Sequence, residues 1–211
     1  MMRQFFIVVA LTVFGSGSVV AQEQGGELEA VQLYSDADLV DMFANNTHLN
    51  RVEKQDRCQL VQDIEAQADI EQRPTYQFLY GDMLAWGICY EQDEALGILY
   101  MEKAAQQGLI AALEQLGRYY HQGTLVQKDV DRAILYLREA ASLGNIPAQL
   151  RLADILVAGQ GSPYDFKNAY RWLHHAVTAD ESTHQAIAKR MNQLAQLMPP
   201  SVIENAKSPL N

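Results

Sequence analysis

The chain has 211 residues, 48% of them hydrophobic, with 26 acidic and 16 basic side chains and a formal net charge of −10. The length suits one domain and the hydrophobic share is ample for a core. The acidic balance argues against a nucleic-acid partner, since phosphate binding needs a clustered positive surface; solvated acidic faces account for it.

Residues 1–21 read as a secretory leader, a signal peptide that is cleaved. Arg3 supplies the positive start, Phe5 to Phe14 form an apolar run broken by Thr12, and Val19-Val20-Ala21 offers small residues for cleavage. The run is short for a membrane span; an uncleaved anchor is the alternative. No cysteine follows the cleavage point, which argues against a lipid anchor. The mature chain is expected to begin at Gln22. With no later apolar stretch of about 20 residues, it is expected to be soluble after export.

Residues 22–72 form an N-terminal extension. Gln22 to Glu29 is polar, contains Gly25-Gly26, and reads as loose chain. Ser35-Asp36-Ala37-Asp38 is a capping signal for a short helix ending near Ala44. Asn45-Asn46-Thr47 breaks it; the glycosylation pattern there is uninformative behind a bacterial-type leader. From Arg51 to Ile70 the stripe Val52, Leu60, Val61, Ile64, Ala68 predicts one longer helix carrying Cys58.

From Pro74 onward the sequence repeats at a spacing of 36, the mark of a solenoid. Gly81, Gly117 and Ala153 align, as do Gly87, Gly123 and Gly159; Asp93, Asp129 and Asp165; and Tyr100, Tyr136 and Trp172. Each unit (73–108, 109–144, 145–180) is predicted to hold two helices. The first helices lie at 74–86, 110–122 and 146–158, the second at 93–106, 129–143 and 165–179. The loop glycines end the first helix in the left-handed region, and the aspartates cap the second. Such a pair cannot bury its apolar face alone, so neighbours must stack.

The motif Leu116-Gly117-x-x-Tyr120-x-x-Gly123, Asp129, Ala133-x-x-Tyr136-x-x-x-Ala140-Ala141-x-x-Gly144 resembles the Sel-one-like repeat family, relatives of the tetratricopeptide repeat. The resemblance implies an all-α solenoid of helical hairpins, here three repeats with flanking N-terminal and C-terminal helices. The third copy is close. The first departs at Leu84, which replaces a tyrosine, and at Cys89, which stands where a second loop glycine usually lies. Asp180 replaces the closing glycine of the third. After the repeats, Ile187, Met191, Leu194 and Met198 predict a capping helix over 183–197, stopped by Pro199-Pro200; Ser201 to Asn211 reads as a short mobile tail.

Cys58 and Cys89 are the two cysteines. Export would place them where disulfides persist. Pairing would close a loop of roughly 30 residues, add about 3–4 kcal/mol, and clip the extension onto the first repeat. A disulfide to a partner and two buried thiols are the alternatives; a metal site is poor without histidines at ligand spacing. Trp86 occupies a slot held by Gln122 and Ala158 in the other copies, so it is not a core position of the repeat. It either packs under the N-terminal helix beside Cys89, the favoured reading, or is an exposed candidate contact residue.

No catalytic, cofactor or metal constellation emerges. The nucleophile elbow, the phosphate-cradling glycine loop and the zinc-protease pattern are absent. His174 and His175 face different directions on a helix, and a metal joining one of them to His184 is disfavoured. His121 reads as surface. The carboxylates lack a paired apolar setting that would tune an acid and a base apart. Tyr100, Tyr136 and Trp172 read as core residues. The chain is therefore expected to bind and not to catalyse.

Asp56-Arg57-Cys58-Gln59-Leu60-Val61-Gln62-Asp63-Ile64-Glu65-Ala66 and Tyr76-Gln77-Phe78-Leu79-x-Gly81-Asp82-Met83-Leu84-Ala85-Trp86-Gly87 resemble a family of exported components of sodium-driven polar flagellar motors. That resemblance implies a periplasmic protein at the flagellar basal body. Its partners would be a MotY-like protein, with which it forms the T ring, and the stator subunit PomB with PomA. A general periplasmic adaptor or envelope regulator is the alternative. An enzyme acting on cell-wall or β-lactam substrates is disfavoured, because the repeat proteins credited with that activity carry a cysteine pair in nearly every repeat.

Overall fold

Asp93 and Asp129 each begin a helix by accepting a backbone N–H, from Leu96 and Arg132 respectively, both at 2.9 Å. These bonds satisfy donors that every helix start leaves free. Gly87 and Gly123 close the preceding helices at φ of 67° and 77°, where a side chain would be strained. This punctuation recurs through a computed structural model that describes residues 33–208. The leader and the polar stretch 22–29 lie outside those residues.

The elements are α1 (Asp36–Ala44), α2 (His48–Asn50), a π-helical turn (Arg51–Gln55), α3 (Val61–Asp69), α4 (Pro74–Trp86), α5 (Glu94–Gln106), α6 (Ile110–Gln122), α7 (Val130–Ser142), α8 (Ile146–Val157), a 3-10 turn (Pro163–Asp165), α9 (Phe166–His175), α10 (Glu181–Ala195) and α11 (Pro200–Ala206). Among the described residues there is no strand. The pairs α4/α5, α6/α7 and α8/α9 are the repeats, stacked in chain order on a shared apolar core.

The small residue inside each first helix sets how close its partner comes. A Cβ on Gly81 would lie 2.7 Å from the Gly97 carbonyl oxygen, and one on Gly97 would lie 2.6 Å from that of Gly81. The first pair is thus in backbone contact. In the second pair Gly117 faces the Leu137 side chain, 2.6 Å from such a Cβ.

A second apolar cluster joins the extension to the first repeat. Tyr34, Leu39, Val52, Leu60, Ile64 and Ala68 pack with Tyr76, Leu79, Tyr80, Met83, Leu84 and Tyr100. Helix α4 is consequently buried from Thr75 through Ala85. Ser35 caps α1 in a reciprocal box with Asp38, as its sequence predicts.

Four expectations are corrected. The single helix expected over 51–70 is broken between residues 56 and 60, because Arg57 and Cys58 adopt φ of 51° and 59°. Asp56 pins this turn by accepting from Arg51 Nε at 3.0 Å and from the Tyr34 hydroxyl, so Cys58 sits in a turn and not on a helix. In the third unit the second helix ends at His175, not 179. Ala176 is extended, and Asp180, standing where a closing glycine was expected, caps α10 by accepting from the Thr183 N–H at 2.7 Å. Asp165 does not cap α9; it pairs with Arg138 of the preceding repeat at 2.7 Å. The expected mobile tail contains α11: Pro200 stops nothing further and instead begins a helix. Arg171 holds the end of α11 by donating to the Asn205 carbonyl at 3.0 Å, and Ala206 is fully buried.

Gly97→Ala should destabilise the protein by about 1–3 kcal/mol through overpacking, although alanine favours a helix by about 1 kcal/mol. Urea unfolding checks it; equal or greater stability would contradict the backbone contact.

Candidate functional site

Cys58 and Cys89 are joined, with Cα atoms 5.6 Å apart at a sequence separation of 31. The bridge ties the 56–60 turn to the loop after α4. Tyr90, beside it, donates to the Val61 carbonyl at 3.0 Å and meets Tyr80 edge-on. Burial and the nearby Glu65 carboxylate hold both phenols above their ordinary range, Tyr80 at about 12. Cys89 has φ 63° and Leu125 φ 58° at the slot where Gly161 has φ 83°. The left-handed loop position is thus a property of the repeat, whichever residue fills it.

Trp86 is 45% exposed and does not lie under the N-terminal helices, contrary to the favoured expectation. Its Nε1 donates to the Tyr119 hydroxyl at 2.9 Å and its ring meets Tyr119 edge-on. It reaches forward to the second repeat.

Tyr119 belongs to a buried polar chain that sequence reasoning missed. Asp82, 2% exposed, has Oδ2 2.7 Å from His48 Nε2. Its Oδ1 accepts from Gln115 Nε2 at 2.8 Å, and Gln115 Nε2 also lies 2.8 Å from the Tyr119 hydroxyl. Burial and Asp82 keep Tyr119 protonated well above the usual tyrosine range. This chain links α2, α4 and α6. A histidine beside a carboxylate is also a general-base arrangement. Here, however, the free ring nitrogen, Nδ1, is closed to solvent and the ring sits against Phe43 and Phe78. The pair orients the fold, and His48 also edges a recess of about 260 Å³ shared with Phe43, Phe78 and Gln115. Its signal in sequence is periodic: Asp82, Arg118, Asp154 and Arg190 stand at one repeat slot in alternating charge. Arg190 and Asp154 form two hydrogen bonds, of 2.9 and 3.0 Å, between α10 and α8.

The histidines do not converge. His174 stacks on Tyr170, and His175 Nε2 lies 3.0 Å from the Ser208 carbonyl oxygen. Among the described residues, no group of three or more His, Cys, Asp or Glu side chains is placed to hold a metal ion. His121, expected at the surface, is half-buried; burial and the Arg151 cation hold its imidazole below the ordinary range. Of the aromatic series, Tyr100 is buried while Tyr136 and Trp172 are half-buried. Tyr136 stacks on Tyr120, and both hydroxyls approach Glu102, at 3.5 and 3.1 Å.

Grooves recur between successive repeats. A groove of about 680 Å³ is lined by Ile98, Tyr120, Leu125 and Asp129, and one of about 430 Å³ by Ile134, Gly161 and Asp165. Leu99 and Leu135, one repeat apart, are exposed on the second helices. Both groove linings mix apolar side chains with charged ones, Lys128 and Arg132 in the first and Asp131 and Arg138 in the second.

Residues 74–109, 110–145 and 146–180 match the Sel1 repeat family. Over 177 residues the chain is 50% identical to the sodium-type polar flagellar protein MotX of Vibrio parahaemolyticus, covering 84% of this chain and 83% of that protein. An exopolysaccharide production negative regulator of Rhizobium meliloti is 33% identical over 113 residues, which is 47% of this chain and 40% of the relative. A solved Sel1 repeat protein from Oxalobacter formigenes gives a TM-score of 0.57 at 22% identity, over 71% of this chain and 66% of that one. A protective antigen of uropathogenic Escherichia coli with an SLR fold gives 0.54 at 21% identity, over 82% of this chain and 38% of that one. These two structures share the helical-repeat fold.

Asp82→Ala strands His48 and Gln115 in the interior and should lower stability by about 2–3 kcal/mol. Combined with His48→Ala the losses should be less than additive, as a double-mutant cycle in urea will read; full additivity would contradict the pairing. His121 should titrate below its unfolded value of about 6.5. The unfolded chain then binds the extra proton, so its stabilising share is present above the unfolded value and is lost as pH falls through the folded one. An imidazole titration by NMR checks the direction.

Proposed function

The chain belongs to the Sel1 repeat family and, by its likeness to the Vibrio protein, to the MotX family of polar flagellar proteins, and from that membership we propose that it is a structural component of the sodium-driven flagellar motor. In this reading it works in the periplasm at the basal body. It forms the T ring with a MotY-like protein and helps to recruit or anchor the stator of PomB and PomA. Sodium conduction belongs to the stator, and this chain supplies adhesion.

The observation that carries the proposal is the 50% identity over 84% of the chain, which extends beyond the repeats into the extension. The segments 56–66 and 76–87 set this chain apart from a generic repeat protein. They pack on one another: the first holds the Asp56 turn and Cys58, the second holds most of the buried α4 with Asp82, and the Cys58–Cys89 disulfide ties the first to the loop that follows the second. A locked terminal unit beside stacked hairpins with recurrent grooves suits a part that must hold several proteins in fixed relation.

The relative named as a negative regulator of exopolysaccharide production keeps a second reading, that of an envelope adaptor, in play for the repeats alone. Deletion in a polar-flagellate host separates the two. Cells that keep their filaments and stop swimming in sodium support the motor reading; cells that swim normally would end it. Capturing the exported chain's neighbours should recover the ring protein and PomB. Envelope enzymes without a motor component would favour the adaptor.

A further inference from the structure

Though its sequence lacks the repeat motif, the extension places α3 where a second helix would stand. Moving back 36 positions from α5 falls on α3. Ala68 stands at the slot of Ala104 and Ala140, and all three are fully buried. Gln72, at φ 53°, stands at the slot of Gly108 and Gly144, at 81° and 87°. Helix α3 packs on α4 as α5 packs on α6. Both junctions therefore have the same two walls, a second helix and the loop that follows the next first helix. The two loops share a backbone: the Asp93 N–H donates to the Leu84 carbonyl and the Asp129 N–H to that of Tyr120, both at 2.9 Å. Cys89 and Leu125 fill the same left-handed slot, at φ 63° and 58°.

These matching walls hold different contents. At the first junction Tyr90 reaches from the loop to α3, where its hydroxyl donates to the Val61 carbonyl at 3.0 Å and to the Glu65 carboxylate at 3.3 Å. The Cys58–Cys89 bridge ties the walls together beside it. At the second junction the Tyr90 slot holds Val126, which is too short to cross, and the slots of Cys58 and Cys89 hold Glu94 and Leu125. Glu94, Leu125 and Val126 line the groove of about 680 Å³, together with Ala95, Ile98 and Tyr120. The groove is open at a place where, one repeat earlier, a phenol and a disulfide span the gap.

We infer that this groove binds an exposed tyrosine of a partner protein, its ring standing where Tyr90 stands at the preceding junction. Ala95, Ile98, Leu125 and Val126 give the ring apolar contact. Tyr120 gives it an aromatic neighbour, as Tyr80 does for Tyr90 at 5.4 Å. The charged side chains of the lining, Lys128 and Arg132 against Glu94 and Asp129, cancel, which suits a neutral phenol over a charged side chain. Glu94 is exposed and meets the Gln92 amide at 3.3 Å; its carboxylate can still accept from a phenol, as Glu65 does from Tyr90. The inference rests on the reading of the chain as a binding scaffold and adds the side chain that one groove receives.

The test is an NMR titration of the mature full chain with acetyl-Gly-Tyr-Gly-amide, with the phenylalanine and leucine peptides of the same frame as separate arms. The tyrosine peptide should shift the Ile98 and Val126 methyl signals saturably. The phenylalanine peptide should bind severalfold more weakly for want of the hydroxyl, and the leucine peptide about tenfold more weakly. Val126→Tyr should fill the groove from within and abolish the shifts of Ile98. Glu94→Gln should weaken the tyrosine peptide severalfold and leave the phenylalanine peptide unchanged; that arm decides the matter if Val126→Tyr fails to fold. No saturable shift, equal binding of the tyrosine and leucine peptides, undiminished binding by folded Val126→Tyr, or an equal response of both aromatic peptides to Glu94→Gln would each overturn the inference. Ile98 and Val126 signals that move with protein concentration alone would give the groove to a second copy and overturn it as well. Those results leave the swimming phenotype of the deletion untouched, so failure of the groove and failure of the motor reading are distinguishable.

Discussion

Helix α4 is the element that must be covered on every side, and the rest of the molecule is arranged to cover it. Its run from Thr75 to Ala85 is buried on every face, Gln77 and Asp82 included, and a helix with no solvated face belongs in an interior. Helix α5 presses on it through the Gly81–Gly97 backbone contact. The extension supplies a second wall through Leu39, Ile64 and Ala68. Helix α6 adds a third, joined by the Gln115–Asp82 bond. The end of a repeat array ordinarily carries a polar outer face. Here it is apolar and is closed by a non-repeating segment. Without that segment Tyr76, Leu79 and Met83 would face water, at about 1.5–3 kcal/mol for each side chain. The extension is therefore part of the fold and not an appendage.

Apolar burial alone lets neighbouring helices slide; directional bonds remove that freedom. The chain from His48 through Asp82 to Gln115 and Tyr119, with Trp86 donating to the same phenol, fixes α2, α4 and α6 in one register. Being enclosed, its members cannot trade a partner for water, so the arrangement is held strongly. Farther along, the same repeat slot is used at the surface, where Arg190 grips Asp154. Those exposed bonds add little stability but repeat the alignment. Order is thus strongest at the disulfide end.

The repeat architecture was legible because its residues act locally. A glycine ends a helix and an aspartate begins one within a single turn, so the spacing alone placed six helices. What escaped depends on distant contacts. The break at 56–60 comes from Tyr34 and Arg51 converging on Asp56, which no helical stripe reports. Helix α11 exists because Arg171, more than thirty positions earlier, binds its last carbonyls. Two prolines that end one helix also suit the first turn of the next, and only packing decides between a tail and a helix. Trp86 was correctly placed off the core slot, yet its partner lay in the following repeat and not in the preceding helices.

With the N-terminal end sealed by the extension and the other covered by α10 and α11, the flanks are left for partners. An open end would invite a second copy to continue the stack, a heterologous contact that need not close. The flanking grooves share a backbone plan but not a lining: the same left-handed slot carries Leu125 in one and Gly161 in the next. Geometry is therefore inherited from the repeat, while discrimination falls to the side chains that vary within it. Arg118 illustrates the division: its slot in the first repeat holds the enclosed Asp82, so one scaffold position carries a buried acid in one unit and a half-buried base in the next.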